Sequence, residues 1–172
     1  MQVIDFRSEL IAQWIPSQSA RTVFDYSGYG NHGSLFSATL RVLDPKGQIA
    51  LDYDGASDHI DFGDNNMLDM GTKDWSVFVH FKWETIGNTF PTLVGKYGGA
   101  FGWGVEIVND GGANDGKIRA WIKNATTRIN ALSSQATAKD GTWHTVAVVW
   151  DRDANLTVYL DTIAGTGSDI SS

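Results

Sequence analysis

The 172-residue sequence has no cysteine, and only three prolines, three methionines and three glutamates. Without cysteine there is no disulfide framework, no thiolate nucleophile and no zinc–thiolate site. Lys and Arg never occur in runs, and the net charge is −7 with a pI near 4.8. Phosphate neutralisation needs clustered cations, so this balance argues against nucleic-acid binding. No apolar run approaches the roughly 20 residues of a membrane-spanning helix, and no membrane insertion is expected. The first ten residues, MQVIDFRSEL, carry Asp5, Arg7 and Glu9 and lack the apolar core of a secretion signal.

What is present is aromatic and glycine-rich: seven Trp, eight Phe, five Tyr and nineteen Gly. That profile belongs to turn-rich β proteins. In WSVFVHFKW, Trp75, Val77, Val79, Phe81 and Trp83 alternate with Ser76, Phe78, His80 and Lys82. In KIRAWIK, Ile118, Ala120 and Ile122 alternate with Lys117, Arg119, Trp121 and Lys123. WHTVAVVW (143–150) reads as a central strand, and NLTVYLD places Leu156, Val158 and Leu160 on one side.

Weaker strands are expected at 10–15, 34–40, 49–53, 59–62, 92–96, 103–108 and 128–132, separated by DPKG, YDGASD, FGDNN, NDGGANDG and KDGT. Short strands at this spacing predict an all-β, antiparallel two-sheet jelly-roll sandwich occupying residues 1–172 as one domain. A chain of this length buries about 70% of its unfolded surface, enough for a core without a metal or disulfide.

GYGNHG, Gly28–Gly33, matches the G-x-G-x-x-G pattern of dinucleotide loops, but SLFSATLRVL follows it. That segment is a poor helix former, and the pattern holds a pyrophosphate only at a helix N-terminus. The glycines are expected instead to supply positive-φ turn conformations, with Asp25, Ser27 and Asn31 folding back on the backbone.

Four stretches fall into a known order. DYSGYGNHGSL resembles the D-x-S-G-x-G-N-x-G motif of laminin-G-like jelly rolls in the concanavalin A-like lectin/glucanase superfamily. IALDYDGASDHIDFG is similar to that group's F-D-G-x-x-D-x-V strand pair. DWSVFVHFKWE resembles its aromatic strand, and GTWHTVAVVWDRDANLTVYLD its G-x-W-H-x-V strand and Y-x-D-G hairpin. The resemblance runs from about Gln13 to Asp161. Thr162 stands where the hairpin normally has glycine. The family's further strand, G-x-[IL]-D-E-[VL]-R-I-Y, has no counterpart before Ser172, so the domain is expected to be incomplete at its C-terminus.

The resemblance implies calcium in many members, and Asp25 and Asn31 are the candidate ligands here, beside the plain turn reading. It also implies an extracellular, cell-surface or virion setting. Related glucanases carry E-x-D-x-x-E or E-x-D-x-E along one strand. Glu9, Glu84 and Glu106 cannot form that row, and Asp52 and Asp54 are the best carboxylate pair available. His32, His59, His80 and His144 show no metal-ligand spacing, and His144 is expected to be structural.

Sugar sites pair an aromatic platform with amides and carboxylates. KYGGAFGWGVEIVNDGGAND supplies candidates: Tyr97 and Trp103 for stacking, with Asn109 and Asp110 for hydroxyls, and Phe101, Asn114 and Asp115 nearby. The expected function is a non-catalytic, lectin-like glycan-recognition module, with calcium as a candidate ion. The alternatives are a structural virion or surface-assembly protein contacting neighbouring subunits as a homo-oligomer, and a glycan-cleaving enzyme built on Asp52 and Asp54.

Overall fold

The structure is a computed structural model that describes residues 10–16, 21–37, 40–69, 71–83 and 89–171, with residues 40–43 described by backbone only. The chain forms two compact units, Met1–Leu68 and Asp69–Ser172. Every strand pairing among the described residues is antiparallel.

In the first unit, β1 (Trp14–Ile15), β2 (Thr22–Asp25), β3 (Gly33–Phe36) and β6 (His59–Asp61) form one sheet in that order. β4 (Leu40–Leu43) and β5 (Ile49–Asp52) form a separate ribbon. A 3-10 turn, Asn66–Leu68, follows. Trp14 stacks on Phe62 at 4.0 Å between ring centroids, and its indole N–H donates to the Asn31 carbonyl at 2.6 Å. Gly28 and Gly30 have φ of 96° and 76°, the left-handed turn conformation expected of them. Gly33 is different: a Cβ there would overlap Ile60 and Phe62, so its role is close packing.

The second unit is a sandwich. One sheet runs β8 (Thr92–Gly98), β9 (Phe101–Ile107), β10 (Ile118–Lys123) and β11 (Arg128–Leu132). The other runs β7 (Trp75–Lys82), β12 (Trp143–Trp150), β13 (Asn155–Leu160) and β14 (Ile163–Ala164), with β15 (Ser168–Asp169) also on β13. β7 and β12 pair along their full length, from Trp75↔Trp150 to Trp143↔Lys82.

The inner faces meet in a core of Val105, Ile107, Ile118, Ala120, Val146, Val148, Trp150, Leu156, Val158 and Leu160. Trp75, Trp103 and Trp150 pack there ring to ring, at 4.2 Å for Trp75–Trp103 and 4.6 Å for Trp75–Trp150. These are the residues that period two assigns to one side of each strand, because successive side chains leave opposite faces of the pleat.

Strands β2, β4, β14 and β15 were not expected from the sequence pattern. The Gly/Ser-rich end is ordered by pairing: Asn155↔Asp169 and Leu156↔Ser168 join β15 to β13, and Ile170 is buried. The hairpin Leu160–Ile163 turns through Asp161 and Thr162, with φ of 50° and 72°.

Candidate functional site

The outer face of the β8–β11 sheet gathers polar and aromatic side chains. Cross-strand register sets it: Arg119 lies opposite Glu106 and Leu132, Trp121 opposite Gly104 and Asn130, and Lys123 opposite Gly102 and Arg128. Gly104 lets Trp121 lie down on the sheet, since a Cβ there would come within 2.8 Å of the indole. The Arg128 guanidinium lies over the Trp121 ring at 4.5 Å. Tyr97 meets the edge of the indole at 6.1 Å and accepts a 3.1 Å hydrogen bond from Lys123 Nζ.

Glu106, with a side chain only 8% exposed, is paired with Arg119 and Arg128, the latter at 2.7 Å. Burial of a carboxylate is costly unless such donors satisfy it. Arg119 also stacks on Phe90 at 4.1 Å, which fixes the guanidinium plane.

At one end of this face lies a cleft of about 480 Å³. Asp110 and Asn114 come from the loop after β9, Lys117 and Arg119 from β10 and its approach, and Asn130 from β11. Ser134, Thr166 and Ser168 complete its polar wall. Lys139 Nζ anchors the loop by donating to Asn109 Oδ1 at 2.5 Å and to both Asp115 oxygens at 2.9 Å. That bond from Lys139, with the N–H of Gly111, holds the Asp115 carboxyl below its ordinary pKa.

The four residues expected to bind sugar therefore separate. Asp110 lines the cleft, with Asn114 beside it. Asn109 has its amide oxygen engaged by Lys139 instead. Trp103 is 5% exposed within the core, so its ring offers no platform. Tyr97 is 64% exposed but sits on β8 opposite Gly102, beside the far end of β9 and about 20 Å away by strand rise. The tryptophan of the outer face is Trp121, but it is only 9% exposed beneath Arg128 and Tyr97, so it offers no open platform either. Its signal was legible: in KIRAWIK it shares a side with Lys117, Arg119 and Lys123, which is not where a core tryptophan falls.

The expected calcium ligands meet a different arrangement in the first unit. Asp25 Oδ1 accepts from the N–H groups of Gln13 (2.9 Å) and Ser27 (2.8 Å). Its Oδ2 accepts from Ser27 Oγ (2.7 Å) and the Asn31 N–H (2.9 Å). Burial pushes this carboxyl's pKa up, but those donors outweigh it and leave the pKa lowered. Asn31 Oδ1 accepts from Asn65 Nδ2 at 2.5 Å, and Asn31 Nδ2 donates to the Ile11 carbonyl at 2.9 Å.

A carboxylate offers about four lone-pair directions, and here donors meet all four. Calcium needs about six to eight oxygens with lone pairs turned inward. Asp25 and Asn31 do not fit it; they form a hydrogen-bonded knot that shapes the loop. The carboxylate pair Asp52 and Asp54 is also structural in part: Asp54 Oδ1 accepts from the N–H groups of Ala56, Ser57 and Asp58, capping its turn, while Asp52 is exposed. Glu9 and Glu84 lie outside the described residues.

One charged cluster lies apart from the outer face. His144, buried after Trp143, directs Nδ1 to Asp161 Oδ2 at 2.5 Å and Nε2 to Asp140 Oδ1 at 3.0 Å. Burial lowers the imidazole pKa, but the bonds and charges of Asp161 and Asp140 outweigh it, leaving it above 6.5. Bonds from Thr142 and His144 hold Asp140 at about 2. With both ring nitrogens facing carboxylates, the cluster ties the loop before β12 to the β13–β14 hairpin and serves structure.

The sequence matches the family described as Concanavalin A-like lectin/glucanases superfamily over residues 54–171, more than half of the chain. The fold is similar to the binding domain of Paraclostridial Mosquitocidal Protein 1, with a TM-score of 0.71 at 11% identity. It is also similar to the binding domain of Botulinum neurotoxin DC, solved in complex with rat synaptotagmin II, with a TM-score of 0.66 at 13% identity. Each alignment covers 96% of this chain and 41% of the other, so the chain spans about two fifths of those structures. No curated protein matches it in sequence. The strand pattern, the antiparallel sheets and the family match agree: this chain has the laminin-G-like jelly-roll fold and belongs to the concanavalin A-like lectin/glucanases superfamily.

Proposed function

We propose that this protein is a non-catalytic recognition module that binds a glycan in the cleft at the end of the β8–β11 face. The observation that carries the reading is the cleft's lining. Side-chain amides, hydroxyls, two cations and one carboxylate converge on about 480 Å³, a volume suited to a sugar unit. Sugar hydroxyls are both donors and acceptors, and Asn114, Asn130, Ser134 and Thr166 can answer both.

The same lining supports a role without catalysis. Glycoside hydrolysis uses two carboxyls flanking one bond. Asp110 is the one carboxylate that lines the cleft among the described residues, and nearby Glu106 is locked between two guanidiniums. The two toxin structures similar in fold are themselves described as binding domains, which is in keeping with this reading.

The test is an oligosaccharide screen by calorimetry with the purified chain and an Asp110→Ala, Asn114→Ala variant. The reading expects at least one neutral or acidic oligosaccharide to bind, and the double variant to lose that binding with its thermal midpoint unchanged. Binding that survives the double substitution would move the site elsewhere.

A further inference from the structure

Resting on that reading, we infer that the cleft selects an anionic glycan, one whose carboxylate or sulfate group is held between Lys117 and Arg119. The argument starts from charge. The chain has 20 acidic and 13 basic residues, and several of its lysines are already engaged by partners. Lys96 pairs with Asp69 at 2.6 Å, Lys139 with Asp115, and Lys123 with Tyr97 and the Gly99 carbonyl. Lys117 lines the cleft half-buried, and its ammonium has no hydrogen bond or ion pair among the described residues. A half-buried ammonium has given up part of its hydration, so an incoming anion replaces water that is already diminished.

Arg119 supplies the second donor. Its Nε is taken by Glu106, and its plane is held against Phe90. Its terminal N–H groups have no partner among the described residues, and the side chain lines the same cleft. A guanidinium held flat is ready to meet a planar carboxylate with little further loss of freedom. Lys117 and Arg119 are two residues apart on one side of an extended segment, about 7 Å between α-carbons, which lets one anion reach both.

Glu106 does not cancel this field, because Arg119 and Arg128 share its single charge. Counting Lys117, Arg119 and Arg128 against Glu106 and Asp110 leaves the cleft region positive within an acidic chain. Asp110 sets the limit of the preference. It faces the cleft from the loop, with Oδ1 fixed by the Gly112 N–H at 2.8 Å, and would accept a sugar hydroxyl while repelling a second acidic group placed near it.

The experiment is calorimetric titration of the full chain with three probes: an oligogalacturonate, the same oligomer as its methyl ester, and a sulfated heparin tetrasaccharide. The inference expects the oligogalacturonate or the heparin fragment to bind about tenfold or more tightly than the uncharged ester. Oligogalacturonate binding shows that a carboxylate suffices, whereas the heparin fragment carries both groups and its binding alone points to sulfate. Affinity should fall as salt rises from about 0.05 to about 0.3 M.

Lys117→Met keeps the apolar stem and removes the charge. It should weaken acidic-probe binding about tenfold and ester binding far less. An ester that binds as well as the acid overturns the anionic preference and leaves glycan recognition standing. Failure of all three probes, and of the neutral screen above, overturns both. An acid preference that survives Lys117→Met in a variant with unchanged melting overturns the placement of the anion.

Discussion

The hairpin between β13 and β14 predicts that Thr162→Gly stabilises the protein. Leu160 pairs with Ile163, so Asp161 and Thr162 form a two-residue turn, and both have left-handed φ of 50° and 72°. Such turns match the twist of antiparallel strands and favour Asn-Gly or Asp-Gly, because the second position crowds any Cβ. Asp161 tolerates the conformation, and its side chain is useful there: Oδ1 accepts from the Thr145 N–H at 2.9 Å and Oδ2 meets His144. Thr162 is exposed and β-branched, and no hydrogen bond of its side chain offsets the strain among the described residues.

A left-handed L-residue costs roughly 1–2 kcal/mol relative to glycine. Glycine's extra freedom in the unfolded chain returns about 0.5–1 kcal/mol of that. The net gain is about 0.5–1 kcal/mol, or roughly 1–4 °C in thermal midpoint for a chain of this length. Urea denaturation of both proteins reads it directly, with an unchanged slope required for a valid comparison. Thr162→Asn should fall between them, since Asn visits this region more readily than Thr. A Thr162→Gly protein no more stable than the parent would refute the strain argument.

The His144 cluster should give stability a pH dependence of two signs. The folded histidine titrates above its ordinary 6.5, so its contribution is complete below about pH 6.5 and is lost as pH rises through the folded value. Asp140 is lowered from 3.8 to about 2, and Asp161 is also lowered, so their contributions are present above about pH 3.8 and lost as pH falls toward about 2. The urea midpoint should therefore drop between about pH 5.5 and about pH 8.5 in the parent, and His144→Gln should flatten that drop; an equal drop in both proteins would assign it to other groups.

Asp25→Ala removes the acceptor of four hydrogen bonds from a buried position and should cost about 3 kcal/mol or more, read by the same denaturation. The parent's thermal midpoint should be the same in EDTA and in millimolar calcium. A clear rise with calcium, erased by Asp25→Ala, would show that the loop rearranges around the ion.

Much of the fold was legible because a pleated strand sends alternate side chains to opposite sides. WSVFVHFKW, WHTVAVVW and RINAL became strands at or within a residue of their expected ends. Strand β2, TVFD, was missed because its inward position holds Asp25, a polar residue whose burial makes sense only once Gln13, Ser27 and Asn31 surround it. Strands β14 and β15 are two residues each, too short to show a period.

Trp103 and Trp121 show the same limit at the site. Glycines on either side of Trp103 suggested an open ring, yet its alternation with Gly102, Gly104 and Glu106 puts it beside Val105 and Ile107 in the core. Reading parity before composition would have placed Trp103 in the core and Trp121 on the outer face, where Arg128 and Tyr97 leave it 9% exposed.

The sequence by itself determined that this protein is all-β, where most strands run, and which side of each strand is apolar, since those properties are local to the pleat. Only the tertiary structure decided that Asp110, Lys117, Arg119, Asn130 and Thr166 share one cleft, and that Asp25 is satisfied by its own loop. The reason is physical. Alternation tells a residue which face it occupies, but its neighbours across that face depend on which strands pair and in what register. Those contacts are set by the packing of the whole core, and they join segments that lie tens of residues apart.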